Sequence, residues 1–211
     1  MENIEAYLQV TDVIDWHHPA ILEKAKTLAK GQTTLEAIGQ ACFAWVRDEI
    51  RHSVDYHLNP VTCRASEVLQ HRTGYCYAKS HLLAALLRAN RIPAGFCYQR
   101  LSVDEMGPPY CLHGLNAVHI PKVGWYRIDA RGNRVGVEAH YTPPQEKLAF
   151  KSQLAGEIDF PAILPEPLTL VIEALQTYST WDTMLANLPD IAPDSATAEM
   201  LMAKDNLQST A

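Results

Sequence analysis

The chain has 211 residues, 47% of them hydrophobic and 20% charged, with a formal net charge of -6. That length suits one well-cored domain and leaves little room for two. The composition excludes a wholly disordered chain, a collagen and a coiled-coil fibre. No basic patch or stripe stands out, which argues against nucleic acid as a partner. No apolar run approaches the roughly 18–20 residues that span a bilayer, so no membrane partner is expected. The first residues, Met1 to Glu5, lack a basic and then apolar leader, and a cytoplasmic location is the expectation. Cys42, Cys63, Cys76, Cys97 and Cys111 are odd in number, irregularly spaced and free of any CxxC pair. They read as free thiols rather than a disulfide framework or a zinc ribbon. No metal or other cofactor is called for, and the oligomeric state is not legible.

In chain order, Pro19 to Lys30 reads as a helix. A second helix starts near Thr33, where Thr33-x-x-Glu36 can form a capping box. Leu35, Ile38, Cys42, Trp45 and Val46 recur on one face of it up to about Ile50. Arg51 to Thr62 reads as loop, and Ala65 to Gln70 as one or two helical turns. From Cys76 to Arg88 the pattern is helical and apolar over most of its circumference, so this helix is expected to be central and buried. Asn90 is expected to take the left-handed stop conformation, and Pro93 prevents continuation.

The period then changes. Ala94 to Val103, Leu115 to Ile120 and Trp125 to Ala130 read as strands, with Pro121 to Gly124 as the turn of a hairpin. Helices followed by antiparallel strands predict an α+β domain over 1–190. Its proline-rich stretch, Thr142 to Pro167, is expected to wrap the domain as an extended arm (about 142–190, with two short helices from Leu168 and Thr180). Residues 191–211 are expected to be a flexible tail.

One constellation could carry chemistry. Cys76 stands at the first turn of the buried helix, where unpaired N–H groups carry partial positive charge. Such a site favours thiolate, the nucleophilic form, and aims the same donors at an oxyanion. A thiol nucleophile needs a base, and the base an orienting group. His113 opens one strand of the hairpin and Asp129 closes the other. They share a face only if the paired positions sum to an even number. A five-residue connection over 120–124 achieves this, making them diagonal neighbours; a plain four-residue turn puts them on opposite faces.

The run Gly74-Tyr75-Cys76-Tyr77-Ala78-Lys79, continuing through Leu83-Ala84-Ala85-Leu86-Leu87-Arg88 to Pro93, resembles the nucleophile helix of the transglutaminase-like superfamily. His113-Gly114-Leu115-Asn116-Ala117-Val118 is similar to its histidine strand, and Gly124-Trp125-Tyr126-Arg127-Ile128-Asp129 to its aspartate strand. The resemblance spans roughly Leu35 to Arg131. It implies a papain-like α+β fold with Cys76 as nucleophile, His113 as base and Asp129 as orienter. The partner it implies is a peptide or protein substrate. The implied reaction is acyl transfer on an amide bond, first as hydrolysis of the cysteine-protease kind and alternatively as transamidation. A non-catalytic scaffold retaining the fold is the reading from another class. The chain departs from the family at Leu115, where an aromatic is common, and at Ala117, where an acidic residue is common.

Simpler readings compete for several of these residues. A free cysteine is usually a small buried hydrophobe, which is the reading for Cys42, Cys63, Cys97 and Cys111. His119 shares a strand face with His113 but lies about 20 Å along it, so it is read as structural. His17 and His18 lack a chelating spacing. Tyr75 and Tyr77 flank the nucleophile and could line a substrate cleft or pack on the sheet, and Tyr56 is a further lining candidate. The second oxyanion donor is unassigned among Trp45, His52 and Tyr56.

Overall fold

The computed structural model describes residues 3–104 and 106–203. After a 3-10 turn at Ile4–Leu8, helix α1 (Pro19–Ala29) begins with proline at its first position. Here the proline's missing N–H costs nothing. The His18 ring caps this helix by accepting from the Ala20 amide at 3.3 Å, which gives the His17-His18 pair a local role. Helix α2 (Leu35–Glu49) is capped by Thr34, whose hydroxyl accepts from the Ala37 amide at 3.1 Å. The expected Thr33–Glu36 box is therefore replaced by a single cap one residue further on. The stretch expected to be loop holds a two-residue strand, β1 (Arg51–His52), and one helical turn, α3 (Ser53–Tyr56). Helix α4 (Ala65–His71) leads into β2 (Thr73–Gly74), which pairs parallel to β1.

Helix α5 (Cys76–Ala89) is the centre of the molecule, and every side chain from Cys76 to Arg88 is buried. Leu82, Leu83, Leu86 and Leu87 are each fully sealed. At about 2–3 kcal/mol for each such side chain, they hold the helix as a rigid post between α1, α2, α4 and the sheet. Its end is tied by Arg88, which donates to carbonyls of Gln9, Ala94 and Pro165. A buried guanidinium without a carboxylate partner is tolerable because several main-chain acceptors replace its water. Asn90 keeps φ at -92°. The left-handed stop falls on Arg91, with φ 61°.

The chain then forms β3 (Ala94–Ser102), β4 (Tyr110–Ile120) and β5 (Gly124–Ile128), antiparallel neighbours in the order β5-β4-β3. The observed pairs Asn116 with Ile128 and Ile120 with Gly124 fix the five-residue connection, the register that puts His113 and Asp129 on one face. The arm is more than a wrap. Ile158–Asp159 forms β6 against β3, Phe96 bridges to Leu164, and Phe160, Ala162 and Ile163 are buried. Helices α6 (Thr169–Thr177), α7 (Trp181–Leu185) and α8 (Ala196–Met202) follow. The expected flexible tail is thus corrected over its first part. Ser195 caps α8, and Ala198 and Leu201 bury their side chains in the core. Residues 204–211 lie outside the described residues. No helix among the described residues is long and apolar enough to cross a membrane.

Lys79 on α5 is 1% exposed and donates to the Ile50 carbonyl and, at 3.3 Å, to that of Arg47. These are acceptors that the end of α2 leaves without intrahelical partners. Burial, with the nearby Arg131 cation, pulls the ammonium down to about 7. A cationic group whose pKa falls on folding opposes folding below that value, and stability rises with pH between about 7 and its ordinary 10.5. Lys79→Met is therefore expected to compare more favourably with wild type at pH 6 than at pH 10 in urea unfolding. An unchanged difference at the two pH values would refute the assignment.

Candidate active site

Cys76 is the first residue of α5, and the preceding Tyr75 supplies no side-chain cap. The first-turn amides are thus left for a ligand. The approach to it is braced by a small polar web. The Thr62 hydroxyl donates to the Thr73 carbonyl at 2.9 Å, and the Thr73 hydroxyl donates to the Arg51 carbonyl at 3.1 Å. Tyr75 and Tyr77 are both buried, and both also line the cleft. Their hydroxyls donate to the carbonyls of Trp181 and Leu112, so each ring is pinned at its far end.

His113 reaches this point from β4. A Cβ on Gly114 would meet the Tyr77 ring at 2.8 Å, so glycine is what lets the strand lie this close to the helix. Gly114→Ala is expected to cost about 1–3 kcal/mol and to lower turnover, because Tyr77 is anchored and cannot swing away. Chemical denaturation with a parallel rate measurement checks this; wild-type values for both would show that the approach has slack.

The His113 Nε2 lies 2.8 Å from Asp129 Oδ2, with both residues buried. The same ring lines one cleft with Cys76, whose sulfur helps the imidazole hold its proton. With Nε2 occupied by the carboxylate, Nδ1 is the nitrogen left for sulfur. Asp129 is itself held, because Oδ1 accepts from the Arg131 amide and Oδ2 from the Ala149 amide, each at 3.1 Å. Burial alone would lower the His113 pKa; the Asp129 carboxylate, the Cys76 sulfur and the hydrogen bonds to both outweigh it and carry the imidazole up to about 10. Burial alone would raise Asp129, but the imidazolium and the two amides keep it below its ordinary value. The arrangement can hold a charged imidazole beside a thiol at neutral pH, as a nucleophile and its proton store require.

The arm completes this site in a way local sequence patterns did not show. Lys147 to Lys151 lines the cleft, Ala149 binds Asp129, and the Phe150 ring stands edge-on to His113 at 5.0 Å and 87°. Phe150 is held in turn by Gln99, whose amide donates to its carbonyl at 3.4 Å, and Gln99 is the cross-strand partner of His113. The aromatic edge screens the histidine–carboxylate pair from water. Phe150→Ala is expected to cut turnover roughly tenfold and raise the solvent exposure of that pair. A rate equal to wild type would deny Phe150 this screening part.

The cleft has a volume of about 840 Å³. Its lining includes apolar Leu101, Leu112, Leu154 and Leu188 and charged Asp55, Arg131, Arg134 and Glu138. Arg131 is clamped by Asp55 through two bonds of 2.6 and 2.9 Å. Tyr56 does not reach this cleft. It is 58% exposed and borders a separate hollow with Asp48, Arg51 and Arg72. Trp45 is likewise elsewhere, stacked beneath Lys24 and Arg72. His119 packs on Trp125 near the hairpin turn. Among the described residues no group of three or more His, Cys, Asp or Glu side chains could hold a metal.

Such a helix, strand and carboxylate arrangement defines a papain-like α+β core. The family model of the transglutaminase-like superfamily matches residues 23–130, which is half of the chain, and the chain belongs to that superfamily. No curated protein matches it in sequence. Among solved structures it is similar to one named "putative cysteine protease" from Cytophaga hutchinsonii, at 21% identity and a TM-score of 0.50, covering 62% of this chain and 43% of that one. It is also similar to the periplasmic domain of TgpA from Pseudomonas aeruginosa, at 21% identity and a TM-score of 0.42, covering 59% of this chain and 45% of that one. The chain therefore matches less than half the length of each of these structures. The first of them shares the fold.

Proposed function

We propose that this protein is a thiol-dependent acyl-transfer enzyme that hydrolyses amide bonds in peptides or proteins. The observation that carries the reading is the His113–Asp129 pair, 2.8 Å apart, whose histidine lines one cleft with Cys76. The sulfur of Cys76 attacks the amide carbonyl, and the charge that develops on oxygen is met by the Cys76 amide. His113 gives its proton to the leaving nitrogen, the C–N bond breaks, and a thioester remains. Water then attacks the thioester as His113 takes one of its protons, and the C–S bond breaks to release a carboxylate and restore the thiol. Asp129 keeps the ring oriented and stabilises its charged form throughout. The leucines in the cleft lining suit a substrate with apolar side chains.

The test is a panel of peptide amides assayed with and without an added primary amine. Cys76-dependent release of carboxylate that the amine leaves unchanged is the expected result. Exclusive transfer to the amine would replace hydrolysis by transamidation, and an absence of thiol-dependent turnover on every member would refute the reading.

A further inference from the structure

The second oxyanion donor is the open position in this chemistry, since the Cys76 amide supplies only one. Three sequence candidates existed, and the fold removes two of them, because Trp45 and Tyr56 lie outside the cleft. The third, His52, is drawn in by a strand pair too short to be read from sequence. It sits opposite Gly74 in the parallel β1–β2 register, two residues from the nucleophile. Its ring is edge-on to Tyr75 at 5.7 Å, and it lines the cleft together with Cys76 and His113.

His52 is also an unsatisfied group. It is 7% exposed, and its Nδ1 is buried with no hydrogen-bond partner. The Asp55 carboxylate stands 3.9 Å from that nitrogen, too far to bond, and is committed to Arg131. Buried polar atoms without partners are rare in native proteins and call for an explanation. Burial, and the neighbouring cations of Arg131 and Lys79, hold this histidine well below its ordinary range. The ring therefore stays neutral through neutral pH and carries one proton. Because no partner holds that proton on Nδ1, it can move to the other ring nitrogen, and the ring lines the cleft in which the negative oxygen forms. A neutral donor of this kind is suited to an oxyanion, since it gives a hydrogen bond without competing with His113 for the reaction's proton.

We infer that His52 is a catalytic residue, donating a hydrogen bond from its ring to the oxyanion formed when Cys76 attacks an amide carbonyl. This rests on the acyl-transfer reading above.

The experiment compares His52→Phe, which keeps a ring against Tyr75 but has no donor, with His52→Gln, which restores an N–H. Two readouts separate chemistry from structure. Peptide-amide hydrolysis passes through an oxyanion, whereas alkylation of Cys76 by iodoacetamide does not. His52→Phe is expected to lower kcat roughly a hundredfold with little change in KM, while Cys76 alkylation stays within about twofold of wild type. His52→Gln should recover part of the lost kcat. A peptide aldehyde, whose adduct with the thiol carries an oxyanion-like oxygen, should bind His52→Phe more weakly by a similar factor. Hydrolysis within threefold of wild type in His52→Phe overturns the inference. So does a fall in alkylation parallel to the fall in hydrolysis, which would mean that His52 only positions the helix entrance. If His52→Phe fails to fold, His52→Gln and His52→Asn decide by the same pair of readouts. Wild-type hydrolysis that survives Cys76→Ala would instead sink the underlying reading.

Discussion

Cys76→Ala is expected to abolish amide hydrolysis, with kcat falling by roughly 10⁴-fold or more while the fold is kept. Cys76 is the cleft thiol that starts a helix. Cys111 lines the same cleft, but burial pushes its thiol up to about 12. Cys42, Cys63 and Cys97 are raised to the same level for the same reason. The substitution removes one sulfur from a buried residue that lines the cleft, so a stability cost of about 1 kcal/mol is expected. The place of Cys76 at the start of α5, in one cleft with His113, predicts thiol labelling. At neutral pH iodoacetamide should modify Cys76 well before the other four, and peptide mapping reads the order. Equal labelling of all five, or turnover that survives in Cys76→Ala, would dismiss the nucleophile and leave a scaffold with the fold of an enzyme.

Asp129→Asn should be the most costly single change to the site. The carboxylate is 1% exposed and meets three donors, so removing its charge strands the His113 imidazole in a buried setting. Breaking a buried pair in this way costs about 3–5 kcal/mol. Turnover should fall by roughly 10²- to 10⁴-fold, because the ring loses its orienter.

The stability loss should depend on pH in a definite sense. His113 has a folded pKa above its ordinary 6.5, so its contribution is complete below that value and drains away as pH climbs toward about 10. Asp129 has a folded pKa below its ordinary 3.8, so its contribution is present above that value and is lost as acid protonates the carboxylate. The gap between wild type and Asp129→Asn should therefore be widest at about pH 4–6.5 and should narrow toward pH 10. Urea unfolding at pH 5.5 and 9.5 measures it. A gap that is constant, or that widens in alkali, would show that the pair is not ionic in the folded protein.

How far local pattern reached is clearest in three elements. The α5 helix was legible because an apolar face that covers most of the circumference has no alternative to the core. The position of Cys76 at its first turn followed from the same boundary. The hairpin was legible up to its register, and there the sequence allowed two answers with opposite consequences. Gly124, at φ 85°, can close a longer connection, but the pairing itself settled that His113 and Asp129 share a face. Strand β1 was invisible because two residues have no period; its existence depends on β2 being brought alongside.

The same distinction accounts for the rest of the site. Side-chain chemistry and the resemblance of three short motifs to the transglutaminase-like superfamily singled out Cys76, His113 and Asp129 as candidates, because each lies within a motif of a few residues. They could not name Ala149 and Phe150, whose part comes from an arm folding back onto β4 and β5. They could not tell that His52 lines the cleft while Trp45 and Tyr56 lie outside it, and they mistook Ala196–Met202 for a loose end. In each of these cases the deciding contact joins segments far apart in the chain. A contact of that kind is selected by which surfaces remain to be buried once the core has formed, and no window of neighbouring residues contains that information.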